Sequence, residues 1–208
     1  SRGGILERGK SWPGQAAREG GKGCMDLVES EEIAPVAGRT ISNPEFTSEP
    51  DGNTIKIQLI QPESTEPLPC VYYIHGGGMQ AMSCFDGNYR AWGKIIAAQG
   101  VNVAMVDFRN SITPSSAPEV GPCPGVLVDC RAGLKGVAAN AGELNSDPAR
   151  IIVSGESGGG NLTLATGLRL KREGRLDLIK GLYALCPYIA GTWPLDENPS
   201  SVENNGIL

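Results

Sequence analysis

Ile151-Ile152-Val153-Ser154-Gly155-Glu156-Ser157-Gly158-Gly159-Gly160-Asn161-Leu162 decides the reading of this chain. A β-branched apolar run enters a Gly/Ser turn, and a helix-forming stretch leaves it, with Lys171 and Arg172 near its end and Gly174 beyond. Strand, tight turn and helix with G-x-S-x-G at the turn is the setting that lifts a serine above a sheet edge. The Ser157 hydroxyl is therefore the candidate nucleophile. Gly155 and Gly159 are expected to flank a turn too sharp for side chains, with Glu156 beside the serine and Ser157 itself in a strained conformation. The helix aims its first N–H groups and positive dipole end at the same spot, which favours an anion there. A Gly/Ser-rich helix start without chemistry is the plainer alternative, and the flanking strand and helix weigh against it.

Upstream, His75-Gly76-Gly77-Gly78 directly follows the apolar run Cys70–Ile74. Three residues without side chains let a loop present backbone N–H donors to a developing oxyanion. Gly77 and Gly78, with Gly158 at the helix start, are the candidate donors. His75 is the only histidine of the chain. Placed before this loop, it is expected to brace it and not to reach the Ser157 proton as a base. Asp107 and Arg109 end the run Val101–Val106 and are expected to pair with each other and fix the neighbouring loop.

The rest of the chain supplies the frame. Residues 39–47 and 53–61 read as extended runs around the turn signal 49–52, and Thr54–Leu59 alternates as a strand with one wet face should. The runs Cys70–Ile74, Val101–Val106, Ile151–Val153 and Leu182–Leu185 are short and nearly all apolar, as strands covered on both faces are. Helical patterns separate them: Tyr89–Gln99 with Tyr89, Trp92, Ile95 and Ile96 on one face, a second over Leu127–Ala141, and Gly158–Glu173 carrying Leu164, Ala165 and Leu168. A hairpin followed by strand–helix repeats predicts a three-layer α/β sandwich on a mostly parallel sheet. Residues 1–38 read as an N-terminal arm or partial cap. Of these, 1–23 are Gly-rich with five basic and two acidic residues. Residues 39–208 read as the core.

The 208 residues suffice for one domain with a real core. A net charge of −5 argues against a nucleic-acid partner, which needs a surplus of Lys and Arg on one face, and no apolar run approaches the ~18 residues of a membrane span. The six cysteines form no C-x-x-C pair. They read as buried free thiols and point to a reducing, cytoplasmic compartment, although the opening residue Ser1 leaves a removed leader open.

Together, His75–Met79, Val106–Asn110, Asp147–Ile151 and Gly155–Leu162 resemble, in order, the motifs of the hormone-sensitive-lipase-like family of α/β-hydrolase carboxylesterases. Glu156 marks its brefeldin-A-esterase-like branch. The resemblance implies an α/β-hydrolase fold and hydrolysis of a small-molecule ester through an acyl-enzyme on Ser157. Gly77, Gly78 and Gly158 would be the oxyanion donors, with no metal and no organic cofactor. A homo-oligomer stays open. In that family a triad acid and then a histidine follow the serine, whereas no histidine follows Ser157 here. Asp196 without a base has no task. The chain therefore reads as cut short at its C-terminus, with the last strands missing, a sheet edge exposed and little activity of its own. Two rivals remain: a non-catalytic ligand-binding protein on the same fold, and a dinucleotide-binding half built on Gly76-x-Gly78-x-x-Ala81 with Asp107 as the ribose acid.

Overall fold

A computed structural model of the protein describes residues 28–49, 51–189, 191–192 and 194–203. The expected arm at 1–23 and Cys24 lie outside the described residues. One sheet organises the rest: β1 (Arg39–Ser42), β2 (Glu45–Thr47), β3 (Thr54–Pro62), β4 (Leu68–Ile74), β5 (Asn102–Asp107), β6 (Ser146–Glu156) and β7 (Gly181–Leu185). Their spatial order is β1-β3-β5-β4-β6-β7, with β2 also on β3. Strands β1 and β2 both pair antiparallel with β3, their break falling at Asn43-Pro44. Strand β3 is antiparallel to β5, and β5, β4, β6 and β7 run parallel.

Alternation sorts the side chains onto two faces. Ile55, Ile57, Leu59, Tyr72, Ile74, Ala104 and Val106 join a core under α2 (Gly125–Ala139) and α3 (Gly158–Arg172). Ile60, Tyr73, Val103 and Met105 face the opposite way, with Tyr89 and Ala97 of α1 (Gly87–Ala97). The three layers follow. A short helix, α4 (Pro199–Glu203), ends the described chain.

Two helices turn a different face inward from the one expected. In α1 the buried residues are Gly87, Tyr89, Ala91, Gly93, Lys94 and Ala97, while Trp92 and Ile95 are exposed. A side chain at Gly93 would strike Ile60 and Met105, so small residues let this helix lie close to the sheet. In α3 the buried positions are Gly158–Gly160, Leu162, Thr163, Thr166, Gly167 and Leu170, and Leu164 and Leu168 lie outside. Strand β7 is likewise not covered on both faces: Leu182, Tyr183 and Leu185 are exposed, and β7 has no outer strand partner among the described residues. Cys70, Cys84 and Cys130 are buried free thiols, as expected, whereas Cys123 and Cys186 are exposed.

Register sets where the loops emerge. Ile74 at the end of β4 lies level with Val106 of β5 and Gly155 of β6. The chain leaves β4 for β5 on one side and later returns to β6 on the other, so the carboxyl ends of β4 and β6 open a crevice where strand order reverses. The His75 loop and the Ser157 turn both begin there.

Candidate active site

Ser157 has φ 54° and ψ −120°, a backbone conformation that a residue with a side chain adopts only when its surroundings enforce it. Those surroundings are visible. Ser157 N–H donates to Leu185 O at 3.0 Å, and Ser157 O accepts from Asn161 N at 3.1 Å and Tyr188 N at 3.2 Å. The turn is thus pinned to the end of β7 and to the first turn of α3. At Gly159 an added Cβ would overlap the carbonyl oxygens of Ile74 and His75, both rigid backbone, so only glycine fits where α3 passes the end of β4. Ser157 remains half-buried instead of sealed in the core. Helix α3 carries no acid in its first turn to offset the positive dipole end at Ser157, while Arg169, Lys171 and Arg172 complement the negative end in its last turn.

The triple-glycine loop faces this turn. Gly77 and Gly78 have φ of 92° and 63°, the left-handed region that glycine enters without strain. The Cβ direction of Gly158 points at Gly78 N, at 3.0 Å, and Met79 N, at 2.9 Å. The Gly78–Met79 backbone of the loop therefore packs directly on the start of α3. The atoms packed on Gly77 are those of Ala81 and Met82. Met79 closes the motif His75–Met79 read from the sequence, but its φ of 63° in a non-glycine residue carries no sequence signal.

His75 lies fully buried behind the loop. Its Nδ1 is 2.9 Å from Gly76 O, and since a carbonyl only accepts, Nδ1 carries the proton. The ring stacks on Phe108 at 4.2 Å and tilts against Tyr89 at 5.3 Å. Burial pushes its pKa below the usual histidine value, against the pull of nearby acids, so the imidazole stays neutral. No hydrogen bond joins it to Ser157.

Glu156 does more than flank the serine. Its carboxylate accepts from Tyr73 O–H at 2.7 Å, Tyr89 O–H at 2.8 Å and Gly76 N–H at 2.9 Å. The two tyrosines were unmarked in the sequence, since each reads as an ordinary core aromatic.

The expected Asp107–Arg109 pair does not form. Arg109 bonds Asp129 through Nε at 2.8 Å and Nη2 at 2.6 Å, and reaches Asp51 as well. Asp107 instead accepts from Ser83 Oγ at 2.6 Å and from Ser116. Asp107 is the last residue of β5, whereas Arg109 already lies in the loop beyond it and is drawn to the Asp129 carboxylate of α2. With Asp107 so engaged, and with α1 opening at Gly87 well after the glycines, the dinucleotide-binding arrangement is not built. Asp196 is exposed.

Comparison with known proteins agrees with this fold. The profile of a family described as "alpha/beta hydrolase fold" matches residues 71–206. The structure of esterase Est22 superposes with a TM-score of 0.89 at 66% identity, covering 93% of this chain and 58% of that one. Brefeldin A esterase, described as a bacterial homologue of human hormone sensitive lipase, superposes with a TM-score of 0.77 at 34% identity, covering 89% and 50%. Carboxylesterase NlhH of Mycobacterium tuberculosis is 38% identical over 102 residues, which are 49% of this chain and 30% of that protein. The chain thus spans little more than half the length of the matched structures. With its sheet order and the profile match over residues 71–206, the chain belongs to the α/β-hydrolase fold family.

Proposed function

We propose that the protein hydrolyses small carboxylic esters through an acyl-enzyme on Ser157. The observation that carries this reading is the enforced backbone of Ser157, at φ 54°, with the amides of the glycine loop packed on Gly158 beside it. In the acylation step Ser157 Oγ attacks the ester carbonyl as its proton passes to a base. The N–H groups of Gly77, Gly78 and Gly158 hold the negative oxygen of the tetrahedral species. Collapse expels the alcohol and leaves the acyl group on Oγ, and water then releases the acid by the same path.

Within this chain the one histidine is buried, neutral and turned to Gly76 O, so it does not serve as that base. The 208 residues alone are therefore expected to turn over ester poorly. Residual catalysis from the oxyanion donors and binding would stand ~10³–10⁴-fold above water, as after triad deletions. The full-length protein should hydrolyse p-nitrophenyl butyrate, with Ser157→Ala lowering kcat by several powers of ten. Equal turnover by that variant would refute the nucleophile. Binding of esters without turnover would favour the non-catalytic ligand-binding alternative.

A further inference from the structure

Glu156 holds three donors from three separate parts of the fold. Tyr73 comes from β4, Tyr89 from α1, and the Gly76 N–H from the first peptide of the glycine loop. A half-exposed carboxylate at the end of a strand needs none of these, since water would satisfy it. The contact with the loop is direct, because a Cβ on Gly76 would overlap Glu156 Oε1. The Gly76 N–H also reaches the Tyr89 hydroxyl at 3.1 Å, so one amide is shared between two acceptors that are bonded to each other. Burial, and then the neighbouring Glu156 carboxylate, push both phenols far above their ordinary pKa. Each keeps its proton and acts as a donor to Glu156.

We propose that Glu156 is a positioning residue for the oxyanion loop. Clamped by Tyr73 and Tyr89, its carboxylate fixes the Gly76 amide and thereby aims the N–H groups of Gly77 and Gly78 at the oxygen carried on Ser157. The inference rests on the esterase reading above and deepens it. Gly76 precedes two residues with positive φ, so a small rotation at its peptide swings the donors that follow. The residue beside the nucleophile thus ties the two halves of the site into one rigid piece. Hydrogen bonds to a charged acceptor are the stronger kind, which suits a fixed clamp.

The test uses the full-length protein, p-nitrophenyl butyrate as substrate, and butaneboronic acid, whose tetrahedral serine adduct places an oxygen where the oxyanion forms. Glu156→Asp keeps the charge but withdraws the carboxylate from Gly76 by one methylene. Its kcat should fall ~10–100-fold, less than the ~10²–10³ for outright loss of a donor. KM should stay within about threefold, and boronate affinity should weaken in proportion to kcat. Glu156→Gln still offers Oε1 to Gly76 and Tyr89 and should lose less than about tenfold. A Glu156→Asp variant that melts earlier but keeps wild-type kcat and boronate affinity would overturn the proposal, since a role in folding alone would look like that. Should Glu156→Asp not fold, Tyr89→Phe removes one clamp donor. It is expected to lower kcat about three- to tenfold at unchanged KM, and wild-type kcat and boronate affinity there would overturn the proposal equally. Ser157→Ala separates the two levels. Retained turnover sinks the esterase reading and this inference together, whereas abolished turnover with a fully active Glu156→Asp sinks this inference alone.

Discussion

At the residue scale the site is a matter of what fits between backbones. Gly159 packs against the Ile74 and His75 carbonyls, neither of which can swing aside as a flexible side chain would. Gly159→Ala should therefore cost about 3 kcal/mol, the upper part of the usual range for overpacking. A lowered urea midpoint with esterase activity lost would show it, and an unchanged midpoint would mean the turn is looser than drawn. Residues of this kind were legible in the sequence, because G-x-S-x-G and the glycine triplet state a need for close approach directly. Tyr73 and Tyr89 were not legible. A core tyrosine that bonds a carboxylate from another strand reads the same as one that merely fills space, and only the register of β4 against β6 brings Tyr73 to Glu156. The Arg109–Asp129 pair was hidden for the same reason, since helix α2 supplies Asp129 from 20 residues away.

At the element scale strands were easier to read than helix faces. The apolar runs named β4 and β5 to within two residues and caught the centre of β6, because a buried parallel strand needs a continuous apolar stretch. Strand β7 was named by its run although it is exposed. Helices α1 and α3 misled, since Trp92, Ile95, Leu164 and Leu168 point outward, while small residues share the buried face with Tyr89, Leu162 and Leu170. Hydrophobic periodicity weighs bulk, whereas close helix–sheet approach selects small residues. Helices α2 and α3 are joined by Glu173, which bonds Arg169 at 2.7 Å, Lys135 at 3.1 Å and Arg131 at 2.5 Å. The Arg169 contact first, then Lys135 and Arg131, holds the Glu173 carboxyl at about 2, against an ordinary 4.5. A carboxyl with a depressed folded pKa stabilises above its unfolded value, and that stability is lost as pH falls through the folded one. The melting temperature should therefore decline from about pH 4.5 toward 2, less steeply in Glu173→Gln and at high salt, where a partly exposed cluster is screened. Identical acid profiles for the two proteins would remove Glu173 from the explanation.

For the whole molecule, the sheet places one crevice at the carboxyl ends of β4 and β6 and leaves β7 at its margin. Tyr183 and Leu185 on that strand are 60% and 45% exposed, and Leu164 and Leu168 of the adjoining α3 are 38% and 50% exposed. A strand with no outer partner among the described residues, flanked by apolar side chains, invites pairing with another chain. The 208-residue protein should thus associate in sedimentation, and Tyr183→Lys with Leu185→Lys should shift it toward monomer; a wild-type monomer at high concentration would contradict this. The overall architecture was legible because strand–helix alternation leaves few ways to close a parallel sheet. A base for the proposed Ser157 nucleophile was not, because the single histidine sits buried behind the glycine loop. The most direct measurement is mass spectrometry of the full-length protein after reaction with an organophosphonate ester that traps activated serines. Stoichiometric adduct on the peptide carrying Ser157, with loss of p-nitrophenyl butyrate hydrolysis in step, is the expected result. Hydrolysis that proceeds with Ser157 unmodified, or an adduct on a different serine, would contradict it.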